Sequence, residues 1–395
     1  MLPLFLLACG QTARQASSTD TTEVVADSLV TVNYAKGFSV RTLENGVRLV
    51  DVADPQTDED QMPVSYHFVL VPKGSNPEDI PSITGKATGR QAKLGNGIGG
   101  ESYTVVQVPV ERTLVMTMLQ LSNFTELDAL DVVCGITGTK NLFNKDIRQR
   151  VKEGRIVKIG MEGNFDTELI LTAQPEVIFI SPFKRGGYDT IKETGITLIP
   201  HLGYKELHPL GQAEWIKFVA LFLGKEAEAD SIFAEIEEKY SRLCSEVNKL
   251  QNADKPTVFS GEMHGGNWYA VGGQSTLAQL FRDAGADYVV KDDNTGGVNI
   301  EFEQMYSMAA NADYWRILNS FPGDFSYEAL KASEPRNELF RAFREKKVIY
   351  CNMKQTPYYE LSPVQPDVIL ADLIAIFHPE LMPEDYEPTF YRLLR

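Results

Sequence analysis

The stretch that decides the fold is residues 157–183, VKIGMEGNFDTELILTAQPEVIFISPF. Its run PEVIFISP contains four consecutive apolar residues, Val177–Ile180, most of them β-branched or aromatic. A short apolar run of this kind is typical of a strand buried on both faces of a parallel sheet. Parallel strands need crossover connections, which are usually helices. The stretch therefore predicts an α/β architecture.

A long helical pattern follows this strand. Its apolar residues recur at spacings of three and four: Ile232, Ile236, Tyr240, Leu243, Val247 and Leu250. That spacing places them on one face of an α-helix. A helix over residues 225–250 would be about 39 Å long at 1.5 Å per residue. This is far longer than a crossover requires, so we expect a rigid helix that spans two lobes and fixes their separation.

Composition is that of a globular protein with more than one core. The chain has 395 residues, of which 43% are hydrophobic and 23% charged, and two lobes are the default at this length. The formal net charge of -16 disfavours binding to nucleic acid or to anionic membrane surfaces. No internal stretch approaches the roughly 20 apolar residues that a membrane span needs.

Strand and helix patterns alternate on both sides of the long helix. Alternation of this kind predicts parallel sheets covered by helices, as in Rossmann-like lobes. Ahead of them, alternating apolar runs around Asn45-Gly46 predict an N-terminal β-meander. The expected domains are an N-terminal lobe over 32–210, a bridging helix over 211–252 and a C-terminal lobe over 253–395.

The amino terminus, MLPLFLLACGQ, ends an apolar run at Cys9. It resembles a bacterial lipobox, so residues 1–9 are interpreted as a truncated lipoprotein signal with Cys9 as the lipidated residue. Residues 10–31 are rich in Ser, Thr, Ala and Asp and predict a flexible tether. The alternative is an apolar terminus with an incidental cysteine. The lipobox interpretation places the protein in the periplasm, lipid-anchored to a bacterial membrane.

The other three cysteines form no CxxC pair. Cys134, Cys244 and Cys351 lie in apolar or helical contexts, which predicts buried free thiols and not a disulfide framework.

Five segments, in order along residues 103–383, resemble one protein family. They are GNFDTELILTAQPEVIFIS, ETGITLIP, HPLGQAEWIKFVALFLGKEAEADSIF, GNWYAVGGQSTLAQLFRDAGADYV and PDVILADLIAIFHPEL. The family is the periplasmic substrate-binding proteins (many of them lipoproteins) of ABC importers for iron–siderophore complexes, haem and cobalamin. The resemblance implies two α/β lobes joined by a rigid helix and a ligand held in the cleft between them. It also implies a monomer whose partners are the permease and, through it, the ATPase.

Ligands of open α/β folds bind outside the carboxyl ends of the strands, so the loops that follow strands are the candidates. The residues expected to contact the ligand are Phe183, Lys184, Arg185, His264, Asn267, Trp268, Tyr358 and Tyr359. Aromatic side chains suit a large planar or macrocyclic ligand, and cations suit an anionic chelate. Trp268 and Tyr359 are the strongest candidates, although core packing is the alternative for any single aromatic residue.

The family also uses a surface glutamate on each lobe to dock on transporter arginines. Glu360 matches the second-lobe position, and Glu206 and Glu214 are candidates in the first lobe. The loop that is often acidic in relatives carries Lys184 here, which questions a conventional two-sided docking arrangement. A solvated surface charge is the alternative for each glutamate.

The sequence shows none of the residue patterns that an enzyme needs. There is no GxSxG elbow, no catalytic cysteine motif and no metal-ligand spacing among the five histidines. We therefore expect no catalysis, no protein-bound metal and no cofactor, with any metal arriving as a chelate. An iron complex, either a siderophore or haem, is the first ligand hypothesis and cobalamin the second. A non-transport interaction lipoprotein remains the alternative, and scarce histidine argues against a zinc or manganese binder.

Overall fold

The computed structural model describes residues 30–43, 46–56, 65–75, 83–84, 92–94, 102–138, 142–161, 163–182, 188–250 and 255–395. Cys9, the predicted signal and the predicted tether up to residue 29 lie outside this set. The described residues form an N-terminal sheet, two α/β lobes and a pair of helices between the lobes.

The N-terminal sheet has the spatial order β1-β2-β3-β6-β5-β4. Its strands are β1 (Phe38–Thr42), β2 (Arg48–Ala53), β3 (Ser65–Pro72), β4 (Ile83–Thr84), β5 (Ala92–Leu94) and β6 (Ser102–Val108). Strands β1, β2 and β3 pair antiparallel, which confirms the predicted meander, and β6 joins β3 in parallel. Neighbouring residues alternate between faces, so Val50 joins the main core while Leu49 packs in a small separate cluster.

The N-terminal lobe is built on a parallel sheet of order β13-β12-β7-β8-β9. Its strands, with a short hairpin between them, are β7 (Thr113–Val115), β8 (Val133–Ile136), β9 (Val157–Lys158), β10 (Gly160–Met161), β11 (Asn164–Phe165), β12 (Val177–Ile180) and β13 (Thr197–Pro200). Its helices are α1 (Met118–Glu126), α2 (Lys145–Lys152), α3 (Thr167–Ala173) and α4 (Asp189–Glu193). All four residues of β12 are buried, as the apolar run predicted.

The lobes are connected by two helices, α5 (Pro209–Leu223) and α6 (Glu226–Asn248). The prediction of one helix over 211–252 was wrong at Gly224, which adopts a left-handed conformation with φ 66° and ends α5. Helix α6 alone is the long helix that leads into the C-terminal lobe. Its 23 residues make it about 35 Å long.

The C-terminal lobe repeats the α/β pattern around a sheet of order β17-β14-β19-β20-β21. Its strands are β14 (Thr257–Ser260), β15 (Glu262–His264), β16 (Asn267–Val271), β17 (Asp287–Tyr288), β18 (Gly297–Ile300), β19 (Tyr314–Asn319), β20 (Val348–Asn352) and β21 (Arg392–Leu393). Its helices are α7 (Thr276–Asp283), α8 (Phe302–Ala309), α9 (Tyr327–Ser333), α10 (Arg341–Arg344), α11 (Tyr358–Leu361) and α12 (Pro366–Phe377). Strands β15, β16 and β18 form a separate antiparallel sheet.

Helix α5 is buried along its whole length, and every residue except Gln212 is buried. It packs against α1, α6, α7, α12 and β6, which belong to all parts of the molecule. Among the helices in the described ranges, none is both long and apolar enough to cross a membrane.

Two of the predicted docking glutamates are part of this core. Glu214 on α5 is 0% exposed and accepts hydrogen bonds from the backbone amides of Asn33, Tyr34 and Ala35 at 2.7–2.9 Å. Glu206 is 2% exposed and accepts from the amide of Gly37 at 2.9 Å, and from the Lys36 amide and the Trp215 indole. Both carboxylates are buried and accept hydrogen bonds from the N-terminal segment. The prediction that they dock a partner was therefore wrong.

His201 is a buried neutral side chain beside this segment. It follows β13, packs on Trp215 with ring centroids 4.7 Å apart, and lies 3.4 Å from the Asn123 side-chain amide. Burial lowers the pKa of His201 to about 3. The folded protein therefore keeps this imidazole uncharged at pH values where an unfolded chain would protonate it.

We expect His201 to make the protein sensitive to acid. Between about pH 6.5 and pH 3 the unfolded state binds a proton at His201 that the folded state does not, so stability falls as pH falls. The contribution is up to ~1.4 kcal/mol of unfolding free energy per pH unit. Urea unfolding at pH 7.5 and 5.5 should show a smaller loss for His201→Gln than for the wild type. Equal losses in both proteins would contradict this assignment.

Candidate functional site

A cavity of about 540 Å³ lies at the carboxyl ends of the C-terminal lobe's strands. It is bordered by the segments that follow β14, β19 and β20, the positions where open α/β folds bind ligands. Its lining residues are Gly261, Glu262, Met263, His264, Tyr269, Ala270, Val271, Arg316, Leu318, Asn319, Ser320, Phe321, Pro322, Met353 and Tyr359. The volume is in the range of about 300–1,000 Å³ that is usual for small-molecule sites.

One wall of the cavity is the hairpin of β15 and β16. Its turn contains Gly265 and Gly266, which both have positive φ, 59° and 93°, a conformation that favours glycine. Adjacent strand residues point to opposite faces. Trp268 accordingly points into the core, while Tyr269 is 53% exposed on the cavity side.

Trp268 is a core residue, and the prediction that it contacts a ligand was wrong. It is 0% exposed and packs against Phe259, Trp315 and Phe340, with ring centroids 5.3–5.9 Å apart. Its indole N–H donates to the carbonyl of Ser260 at 2.9 Å. The residue on the cavity side is the adjacent aromatic Tyr269, and the period-2 alternation of a β-strand was the signal that could have identified it.

Exposed aromatic and thioether groups dominate the mouth of the cavity. Tyr359 is 47% exposed, and Met263, Phe321 and Met353 are half-buried around it. Partial removal of its hydroxyl from water raises the pKa of Tyr359, and the neighbouring Tyr358 raises it further. The mouth therefore offers large flat surfaces with hydroxyl groups at their edges.

The floor carries two opposite charges. Arg316, in the middle of β19, is only 7% exposed, and its Nε donates to the Tyr391 hydroxyl at 3.0 Å. Glu262 accepts from the Asn319 side-chain amide at 3.1 Å, and burial raises the pKa of its carboxyl. Neither residue was predicted from the sequence, although an arginine within the otherwise apolar run YWRIL was a usable signal.

The predicted ligand residues are placed as follows. His264 and Tyr359 line the cavity. Asn267 pairs with His264 across the hairpin but is not among the residues that line the cavity. Tyr358 is not among them either, and its hydroxyl accepts a hydrogen bond from the Tyr391 hydroxyl at 3.2 Å. Phe183, Lys184 and Arg185 follow β12 and lie outside the described residues, so their contact with ligand stays a prediction.

Glu360 connects the two lobes beside the cavity. It is 8% exposed, and its carboxylate accepts from the backbone amides of Phe143 and Asn144 in the N-terminal lobe, the second at 2.8 Å. Asn144 is the N-cap of α2, where a negative charge is favourable. The prediction that Glu360 is a surface docking residue was wrong, because its oxygens are used within the protein.

A second cavity, of about 350 Å³, lies where the N-terminal segment meets α6 and α7. It is lined by Tyr34, His208, Tyr240, Cys244, Asp283 and neighbouring residues, and the Tyr240 hydroxyl donates to Asp283 at 2.5 Å. Burial raises the pKa of the Cys244 thiol to about 12, so it stays protonated and unreactive.

The three cysteines of the described ranges are free thiols. Cys134, Cys244 and Cys351 are free, as predicted, with Cys134 and Cys351 buried and Cys244 half-buried. Within the described ranges, no group of three or more His, Cys, Asp or Glu residues could hold a metal ion.

Two α/β lobes with a cavity at the strand ends are an arrangement that many ligand-binding proteins share. Residues 118–354 match the model of the family described as "Periplasmic binding protein". This is more than half of the chain, and the protein belongs to this family.

Individual relatives agree with this assignment. An uncharacterized lipoprotein of Methanocaldococcus jannaschii is 30% identical over 71% of this chain and 68% of its own. A periplasmic haem-binding protein from Pseudomonas aeruginosa superposes with a TM-score of 0.56 at 18% identity, covering 72% of this chain and 98% of that one. The TroA-like periplasmic binding protein FepB from Veillonella parvula gives 0.53 at 18% identity, covering 75% and 98%. These structures establish the shared two-lobed fold.

The adjacent residues Trp268 and Tyr269 should respond oppositely to truncation. Trp268→Ala creates a cavity in the core and should lower the unfolding free energy by about 3–5 kcal/mol. Tyr269→Ala removes an exposed ring and should stay within about 0.5 kcal/mol of the wild type. Urea unfolding measures both, and a stable Trp268→Ala protein would contradict the core assignment.

Proposed function

We propose that the protein is the substrate-binding component of an ABC importer and captures a metal chelate in the cleft between its lobes. The first candidate is an iron complex, either a ferric siderophore or haem. The observation that carries the proposal is the cavity at the strand ends, with Tyr269 and Tyr359 exposed at its mouth and Arg316 on its floor. The chelate would then be handed to the membrane permease.

The lining suits the organic surface of such a complex. Tyrosine rings pack on flat or macrocyclic groups, and their hydroxyls add polar contacts at the edge. The guanidinium of Arg316 suits carboxylate or other anionic groups. Recognition of this kind needs no metal ligand from the protein, since the metal arrives chelated. Phe183, Lys184 and Arg185 would contribute from the N-terminal lobe.

Cobalamin is the second candidate, because a corrinoid is also a large ring that aromatic side chains can contact. A non-transport interaction lipoprotein is the third, and the lipoprotein among the relatives is compatible with it. In each case Cys9 would carry the lipid and anchor the protein to a bacterial membrane in the periplasm.

A ligand screen tests the proposal. Ferric siderophores, haem and cobalamin are added separately to the purified protein, and the midpoint of thermal unfolding is measured. A ligand at about 100 times its Kd stabilises by about 2.7 kcal/mol, which raises the midpoint by several degrees. Visible absorbance retained after gel filtration gives an independent measure of binding.

Tyr269→Ala and Tyr359→Ala should each weaken binding of the active ligand about tenfold or more while leaving the unliganded midpoint nearly unchanged. Met308→Ala is the matched control, because Met308 is 38% exposed but lies outside the cavity lining. An intact protein that binds none of the three ligand classes would contradict the proposal and favour the interaction lipoprotein.

A further inference from the structure

Arg316 is a buried cation with few partners. Its Nε and Nη2 both donate to one acceptor, the Tyr391 hydroxyl. In the described part of the chain, its Nη1 has no hydrogen-bond acceptor and the guanidinium forms no ion pair. Buried charges in proteins are normally paired, because removing a charge from water is costly.

The carboxyl group on the same floor does not form the missing pair. The two oxygens of Glu262 both accept from Asn319, and burial raises the pKa of this carboxyl. The charge of Arg316 acts on Glu262 only through space. The cavity thus has a cation on its floor that lacks a bonded counter-charge.

Tyr391 is held in place by the C-terminal segment that carries it. The Asp372 carboxylate on α12, 0% exposed, accepts from the backbone amides of Thr389, Phe390 and Tyr391 at 2.6–3.1 Å. Strand β21 then pairs with β20, and the Leu394 amide donates to the Val348 carbonyl. Tyr391 itself is 0% exposed. This segment lies beyond residues 118–354, so it is outside the family match.

We propose that Arg316 binds an anionic group of the ligand and that Tyr391 of the C-terminal segment positions its guanidinium for this role. Tyr391 accepts two N–H groups and donates its own proton to Tyr358, so its hydroxyl fixes one edge of the guanidinium fork. The remaining N–H groups are left for a carboxylate, catecholate or similar group. Arg316 is then a specificity-determining residue and Tyr391 a positioning residue. This inference rests on the proposed function and adds the charge of the ligand to it.

The experiment uses probe pairs that differ in charge. One pair is haem and haem dimethyl ester, which share a ring but differ in their carboxylates. The other is a ferric tris-catecholate, which is strongly anionic, and a neutral ferric tris-hydroxamate. Dissociation constants are measured by fluorescence quenching for the wild type, Arg316→Gln, Arg316→Lys and Tyr391→Phe. Arg392→Gln is the control, since Arg392 is an exposed cation next to Tyr391.

We expect Arg316→Gln to weaken binding of the anionic probe in the bound pair by about 10- to 100-fold, which is the value of one charged hydrogen-bonded contact. Binding of the neutral probe should be nearly unchanged. Arg316→Lys should recover part of the loss. Tyr391→Phe should weaken binding of the anionic probe only. If Tyr391 had a merely structural role, the substitution would weaken binding of both probes. Arg392→Gln should bind as the wild type does.

Other outcomes separate the two proposals. A wild-type protein that binds only neutral probes, or an Arg316→Gln protein that loses both members equally, overturns the role of Arg316 and leaves the proposed function standing. If Arg316→Gln does not fold, Tyr391→Phe and Arg316→Lys decide by the same comparison. A folded wild type that binds none of these probes and no cobalamin overturns the proposed function and this inference together.

Discussion

The structure depends on a helix that is buried on all sides. Helix α5 packs against the N-terminal sheet, the N-terminal lobe and helices of the C-terminal lobe, and even its charged residues Glu214 and Lys217 are buried. The buried carboxylate of Glu214 accepts hydrogen bonds from three backbone amides and forms an ion pair with Lys217 at 3.3 Å. Lys217 also pairs with Asp230 at 3.4 Å and donates to the Thr31 carbonyl at 2.8 Å, so both buried charges have several partners. The lobes are therefore held on one shared core.

The candidate site is shaped by residues that also belong to the core or join the two lobes. The β15–β16 hairpin is anchored by Trp268 in the C-terminal core, which leaves Tyr269 on a rigid wall. Glu360 attaches the segment after β20 to the first turn of α2, and its neighbour Tyr359 stands at the cavity mouth. The aromatic groups that would contact a ligand are thus next to residues that hold the lobes together. Such preorganisation lowers the cost of ordering side chains on binding.

The fold was largely readable from sequence because its signals are local. The buried run of β12, the meander and the apolar face of α6 each follow from short-range periodicity. Gly224 is present in the sequence, but a glycine can also lie within a helix. Its left-handed backbone, which ends α5, is known only from the structure. The site was harder, because burial is a tertiary property. Glu206, Glu214 and Glu360 look like surface acids until their amide partners, far away in the chain, are known. Arg316 and Tyr391, separated by 75 positions, meet only in the folded protein.

Hydrogen–deuterium exchange with and without a bound chelate tests most directly whether ligand binds at the strand ends of the C-terminal lobe while helix α5 stays fixed. We expect added protection in residues 261–271, 319–322 and 353–359, with unchanged exchange in α5. Protection confined to the second cavity around Tyr240 and Asp283, or to surfaces remote from these three segments, would contradict it.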